Sequence, residues 1–464
     1  MDSFTPMPAL ATAPATADHV YLRRRERLRA QYAAIPAGAP VRLAKRTSNL
    51  FRAREAAQGP GLDVAAFDGV LAVDPEARTA DVQGMTTYEH LVDATLAHGL
   101  MPLVVPELKT ITLGGAATGL GIESTSFRNG CPHESVLEME VMTGDGRIVR
   151  ARPNNEHADL FRGFPNSYGT LGYALRLEIE LEPVRPFVQL RHAPFADAAA
   201  YFEAVSEVCA TRSWKGVPVD FLDGTVFAPG AHYLTLGTMT DAAPYTSDYT
   251  GQQIYYRSIH SRMEDHLTIR DYLWRWDTDW FWCSRAFGVQ RPGLRRLWPR
   301  RLLRSDVYWK AAALGRRFGL GRGSSANEAV IQDVQVPVER AADFLEVFHR
   351  EVGMAPIWMC PLRLREHEDA WTVYGLDPAT TYVNFGFWGA VERDPGEPAG
   401  DHRNRLIERL VADLGGQKSL YSTSFYGEDE FRALYGGAAY YELKQAYDTD
   451  GRLLDLYEKC VRGR

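Results

Sequence analysis

PELKTITLGGAATGLGIESTSFRNG, running from Pro106 to Gly130, is the stretch on which the reading of this chain turns. It holds five glycines and six Ser or Thr hydroxyls. The buried-strand pattern MPLVV delivers the chain into it, and ESTSFRNG after it keeps no helical period. Bare amides beside hydroxyls suit two ends: tight turns in a β-rich region, or a concave backbone nest around an anion, which glycine makes sterically open. A dinucleotide fingerprint of the GxGxxG kind fails on context. It needs strand, glycine turn and long helix in immediate succession, and GLGIES breaks the third glycine. Turn and nest stay open on the glycines alone, so the flanking elements have to decide between them.

Upstream, HVYLRRRERLRAQYA has helical spacing and stops at IPAGAP, a Pro and Gly breaker. VRLA reads as a short strand running into KRTSNLF, VLAVDPEARTADVQG as a hairpin, and TYEHLVDATLAHG as an amphipathic helix ending at Gly99. Downstream, HESVLEMEVMTGDGRIVRA is a second hairpin with Asp-Gly at its tip, where a type I′ turn needs positive φ. NSYGTLGYALRLEIELEPV closes the region with a long alternating strand. The β-α-β-β order of FVQLRHAPF, DAAAYFEAVSEVCATR, GVPVDFLDG and HYLTLGTM then recurs in VIQDVQVPV, ERAADFLEVFHREVG, PIWMCPLRL and YVNFGFWGAV. Two such units make one antiparallel sheet covered by helices. The expected organisation is a tail over 1–18, a first domain over 19–184, a cap domain over 185–419 with a Trp- and Arg-rich insert at 271–322, and C-terminal helices over 420–464 that return to the first domain.

With 464 residues, 45% hydrophobic and 24% charged, the chain is globular and long enough for two or three domains. A net charge of −7 argues against general nucleic-acid binding. Five cysteines without any CxxC or CxxH spacing indicate neither a disulfide framework nor a zinc site, and fit a reducing cytosol. No metal is expected. The first 18 residues lack a signal peptide's basic and apolar regions, and no run of about 18 apolar residues would span a bilayer.

One composition stands apart. Six of the ten tryptophans lie at 274, 276, 280, 282, 298 and 309, and Arg291, Arg295, Arg296, Arg300, Arg301 and Arg304 follow one another closely. Tryptophan at headgroup depth with arginine on anionic lipid would give peripheral membrane contact from Trp274 to Arg304. Equally, the tryptophans fill a cap core while the arginines pair with Asp277, Asp279 and Asp306. A 2′-phosphate of NADPH would engage only one or two of these arginines.

The order of strand, KRTSNL loop, hairpin, helix, PELKTITLGG, TGLGIES and a later YGTLG, followed by a βαββ cap, resembles the FAD-binding (PCMH) fold of the vanillyl-alcohol-oxidase type. It is most similar to the flavoproteins of the sterol Δ24-reductase kind. KRTSNLFR and WRWDTDWFWCSRAFG look like the bacterial branch that reduces 10-methylene fatty acyl chains. The resemblance implies an α+β fold: a two-subdomain FAD-binding unit plus an antiparallel-sheet cap with helices on one face. It places Arg46, Thr47, Ser48 and Asn49 in the first pyrophosphate loop. Thr112, Gly114, Gly115, Thr118, Gly119, Gly121, Ile122 and Ser124 wrap the other side of FAD, and Gly169, Thr170 and Gly172 approach it through backbone atoms. KRTSNLFR has no histidine, so noncovalent FAD is implied, with His133 the residual candidate for a covalent link.

It also implies NADPH as electron donor and a lipid substrate, reduced from 10-methylene to 10-methyl on a phospholipid acyl chain, at the cytoplasmic face of a membrane. A sterol side chain is the alternative within the class. A flavin oxidase or dehydrogenase of a hydroxylated small molecule, and a flavin-free lipid-binding scaffold, are alternatives outside it. Alkene reduction needs an acid that stays protonated near neutral pH, which burial achieves for Glu and which Tyr achieves by default. Glu107, Glu123, Tyr255, Tyr256 and Tyr426 are the candidates, with Glu123 and Tyr256 foremost, and Cys360 in PIWMCP is the candidate pocket residue. Neither a monomer nor a homo-oligomer is specified by the sequence.

Overall fold

The computed structural model describes residues 14–45, 51–52, 61–317, 327–365, 371–393 and 400–463, without the side chains of 14–18 and 313–317. An opening helix, Pro14–Ala33, lies against the first of two antiparallel sheets. That sheet comprises β1 (Val70–Asp74), β2 (Thr79–Gln83), β3 (Leu100–Pro102), β4 (Val136–Thr143), β5 (Ile148–Ala151) and β6 (Gly172–Pro183). Its order is β1-β2-β6-β4-β5, with β3 also pairing with β6. The two hairpins and the long closing strand are those the alternation predicts. VRLA forms only an isolated bridge, Leu43 with Leu62, because Pro40 and the glycine-rich turn before it leave no ladder to extend.

The second sheet holds β7 (Phe187–Phe195), β10 (Phe221–Ala228), β11 (Ala231–Thr240), β12 (Glu264–Thr268), β13 (Asn327–Pro337), β14 (Ile357–Leu362), β15 (Tyr382–Glu392) and β16 (Gln417–Lys418); a two-stranded pair, β8 (Ser213–Trp214) with β9 (Val217–Pro218), stands apart. The order β12-β7-β11-β10-β14-β15-β13-β16 joins the two β-α-β-β units edge to edge at β10 and β14. Period-2 alternation then sorts the side chains. Val330, Val334, Met359, Phe385 and Phe387 pack under helices Ala198–Thr211, Ala341–Glu351 and His402–Asp413. Phe221, Trp358, Cys360 and Leu362 point the other way and share a core with the first sheet and its helices. One face of the cap sheet is therefore turned toward the domain that carries the glycine run.

The run itself differs from its sequence reading in one respect. Leu113–Thr118 is helical, and so is Ser126–Asn129. Thr112 starts the first of these by accepting a hydrogen bond from Gly115 N, the capping role that suits a Thr before a turn. Glycine is needed at Gly114 because the run passes over the backbone of Gly84: a Cβ there would lie 2.7 Å from Gly84 O.

Candidate functional site

Between the cap sheet and the first domain lie two groups of ionisable side chains. The first gathers around Arg275, whose guanidinium is 1% exposed. Its Nη2 pairs with Asp223 Oδ2 at 2.7 Å and with Glu107 Oε1 at 3.0 Å, and its Cζ sits 4.0 Å from the Tyr272 ring centre. Asp223, on β10, also accepts hydrogen bonds from the indoles of Trp276 and Trp358. Glu123 Oε1 accepts from Glu107 N at 2.8 Å. Burial, opposed by Arg275, pushes Glu107 up to about 8, and burial with Glu107 beside it pushes Glu123 well above the usual carboxylate range. Cys360 on β14 is fully buried next to this group, its thiol raised by burial and then by Glu123, Asp223 and Glu107. A narrow cleft lined by Met101, Leu103, Val105, Glu123, Phe221 and Leu273 reaches the group.

The second group lies further along the same sheet face and is more open. Asp333 on β13 stands opposite Gly386 of β15, with Asn384 and Trp388 at the flanking positions of that strand. The Trp388 indole donates to the Tyr421 hydroxyl at 2.7 Å. Phe51 stacks on Trp280 and presents edges to Trp309 and Tyr421, while Trp388 packs on Phe281 and Trp282. Phe51, Tyr168, Trp280, Cys283, Trp309, Asp333, Trp388 and Tyr421 are all half-buried, so this is an accessible aromatic wall. Burial pushes Asp333 up to about 7, with Asn384 and Tyr421 hydrogen bonding in opposition.

The predicted residues distribute between these places. Glu123 and Cys360 come together at Arg275. Tyr256 does not join them: it donates to Gln290 Oε1 at 2.7 Å and accepts from Arg257. Tyr426 packs between Phe431 and Tyr435, and Tyr255 stands edge-on to Trp276. His133 is buried, with edges on Trp371 and Tyr374. Many of the run's hydroxyls serve the chain itself. Thr118 donates to Gly114 O, Ser124 accepts from Tyr272 and Thr125 donates to Leu103 O. Thr170 donates to Ser167 O and accepts from Tyr440 of the returning C-terminal helices, and Gly172 opens β6 against β4. Gly169 adopts φ 74°, a left-handed conformation that glycine takes without strain. Arg46, Thr47, Ser48 and Asn49 lie outside the described residues.

What the run does offer is backbone. Among the described residues, the amides of Leu120, Gly121 and Ile122 donate no hydrogen bond within the chain. A cationic group gathers around Arg52: Arg52 donates to Leu420 O at 2.8 Å and lies over the Tyr168 ring, and Lys459, which makes no ion pair among the described residues, is pushed down to about 7 by burial and by Arg52, Lys45 and Lys444. The Arg52 and Lys459 cations, with the undonated amides of 120–122, fit a diphosphate.

Residues 20–152 match the model of the FAD binding domain. The chain carries an FAD-binding domain. The fold as a whole is accordingly the PCMH-type unit with an antiparallel-sheet cap. Delta(24)-sterol reductase of Arabidopsis thaliana is 27% identical over 439 residues, covering 87% of this chain and 77% of that one. Delta(24)-sterol reductase of Mus musculus is 25% identical over 416 residues, with 85% and 76% covered. Cytokinin dehydrogenase 5 of Arabidopsis thaliana is 33% identical over 111 residues, 24% of this chain and 20% of that one. With an FAD-binding domain and reductases matching it along most of its length, the chain is an FAD-dependent oxidoreductase.

The Trp- and Arg-rich segment divides into a buried part and an exposed part. Trp274, Trp276 and Trp282 are buried in the core between cap and first domain, and Arg295 is buried against Asp279, with its Nη1 2.6 Å from Oδ1. Arg304 pairs with Glu89 of the first domain. Around helix Pro292–Leu297, however, Leu294 and Leu297 are 48% and 82% exposed, and Leu302 is also exposed, among exposed Arg291, Arg296, Arg300 and Arg301. No helix among the described residues is long and apolar enough to cross a membrane.

Proposed function

We propose that this chain reduces a carbon–carbon double bond of a lipid with electrons from NADPH, converting a 10-methylene phospholipid acyl chain to the 10-methyl form. The aromatic wall carries the reading: Phe51, Trp280, Trp309, Trp388 and Tyr421 offer an apolar lipid chain an accessible surface where cap and FAD-binding domain meet. The sterol reductases that match most of the chain support an alkene substrate. The likeness of KRTSNLFR and WRWDTDWFWCSRAFG to the bacterial branch supports the acyl chain over the sterol. Bound FAD supplies the hydride.

The chain's own residues hold, orient and shield. Amides 120–122, Arg52 and Lys459 would hold the diphosphate, with Arg46, Thr47, Ser48 and Asn49 completing the first loop. The aromatic wall holds the alkene and excludes water. Protonation of a 1,1-disubstituted alkene at its terminal carbon leaves charge on a tertiary carbon, which the electron-rich ring faces stabilise.

The exposed Leu and Arg patch at 291–302 suits the anionic inner face of a membrane, from which the substrate would be drawn. Leu297→Glu is expected to lower co-sedimentation with anionic phospholipid vesicles at least severalfold while leaving the melting temperature unchanged.

The test is an anaerobic stopped-flow trace at the flavin band. NADPH is expected to bleach it, and a 10-methylene phospholipid to restore it with a product two hydrogens heavier. Restoration by a Δ24 sterol alone would move the substrate to the sterol class. Bleaching by an alcohol instead of NADPH would replace the reading with an oxidase.

A further inference from the structure

We propose that Asp333 is the proton donor of the reaction, a role that rests on the alkene-reduction reading above. Three observations place it there. Strand alternation aims it away from the helix-covered face and toward the aromatic wall, since Val334 and Val336 on either side of Gln335 fill the helix-side core while Asp333 pairs in register with Gly386, between Asn384 and Trp388. Its carboxyl lies directly over Gly386, where a Cβ would collide with Oδ1 and with the Trp388 ring, so the strand opposite is bare at that one place. Finally, it has no ion pair among the described residues. The groups that face it are the Tyr421 hydroxyl from the segment after β16, the Asn384 amide from β15 and Tyr168 from the FAD-binding domain, with Cys283 beyond Tyr421. None is a cation; Arg52 lies behind the Tyr168 ring. Oδ1 is buried without a hydrogen-bond partner, while the residue keeps accessible surface.

An acid in that setting keeps its proton up to about pH 7 and, among the described residues, is not held by a countercharge. The other buried carboxyls of the interface are differently placed: Asp223 and Glu107 are paired with Arg275, and Glu123 accepts from a loop amide. In the step assigned to Asp333, the O–H bond breaks as the alkene π pair forms a C–H bond at the less substituted carbon. Bound reduced FAD would supply the hydride for the second C–H bond at the cationic carbon. The alkene gains two electrons, the flavin loses two, and the Asp333 carboxylate is reprotonated from water.

The experiment uses the FAD-loaded full chain. For Asp333→Asn, with folding checked by melting temperature, NADPH is expected to bleach the flavin and the 10-methylene phospholipid to restore it about 100-fold more slowly than in wild type, in the range lost with a general acid. Asp333→Glu is expected to recover part of that loss. Wild-type restoration is expected to slow as pH rises above about 7. A readout independent of turnover is the protonated-carboxyl band in pH-difference infrared spectra of the oxidised protein, expected to fade through about pH 7 in wild type and to be missing in Asp333→Asn. Restoration of Asp333→Asn at the wild-type rate, or a carboxyl band that fades near pH 4, overturns the assignment alone. A wild-type protein that neither the phospholipid nor a Δ24 sterol can restore overturns the reductase reading, and the assignment with it.

Discussion

Asp223 and Asp333 occupy the same face of the same sheet, one on β10 and the other on β13, yet the protein treats them in opposite ways. Asp223 is sealed, meeting one guanidinium and two indole N–H groups. Among the described residues, Asp333 meets an amide, hydroxyls and aromatic rings, and no cation. A buried carboxylate that is paired and hydrogen-bonded fixes the packing of its surroundings, because breaking it would strand a charge. A buried carboxyl that is left unpaired protonates instead. The contrast separates a charge-paired group between cap and FAD-binding domain from the group proposed to exchange a proton.

The comparison breaks most visibly at Arg275. Arg275→Ala would leave Asp223 and Glu107 buried beside each other without their cation, at a cost of about 3–5 kcal/mol, read as a large fall in melting temperature and in soluble yield. A variant that melts like wild type would mean the cluster is open to water.

Asp333→Asn is expected to act in the other direction. Its folded-state pKa of about 7 lies above the ordinary value near 4. The folded state therefore holds the proton more tightly, and stability is lost as pH rises from about 4 through 7. The Asn variant should melt about 2–4 °C above wild type at pH 8 and converge with it at about pH 4 and below. A gain at pH 8 together with slower lipid reduction would be the signature of a site whose chemistry is maintained at the expense of stability. The smallest effect is expected at Glu123. Its carboxyl is raised by burial and accepts one amide hydrogen bond that a Gln side-chain oxygen can also accept, so Glu123→Gln should change stability by less than about 1 kcal/mol and leave lipid-driven flavin restoration intact. A large loss of restoration would return the donor role to Glu123.

Much of this was legible in the sequence because it is periodic. The two β-α-β-β units, both hairpins and the long strand at 172–183 follow from alternation and turn chemistry. The glycine run alone left tight turns and an anion nest open, and residues 20–152 match an FAD binding domain. The short helix at 113–118 escaped because six residues of LGGAAT carry no apolar period; its cause is the Thr112 cap. The Arg275 cluster escaped because Glu107, Asp223 and Arg275 are separated by more than fifty residues at the nearest, and only the topology joins them. Asp333 left a trace: in VIQDVQVPV a charged residue interrupts an otherwise buried strand, on the face opposite its valines. That trace distinguishes a special position but names no chemistry until the partners on β15 and after β16 are known.

Phe51 N donates to Tyr421 O, Ser422 bridges back to Phe51, and Arg52 donates to Leu420 O. The residues that directly follow the first cofactor loop are thus laced to the segment that supplies the Tyr421 hydroxyl. On the proposed reading, FAD held by these residues would brace the wall through Phe51 and Arg52 before the lipid binds. Titrated without FAD, the protein should accordingly take up the phospholipid more weakly than when loaded.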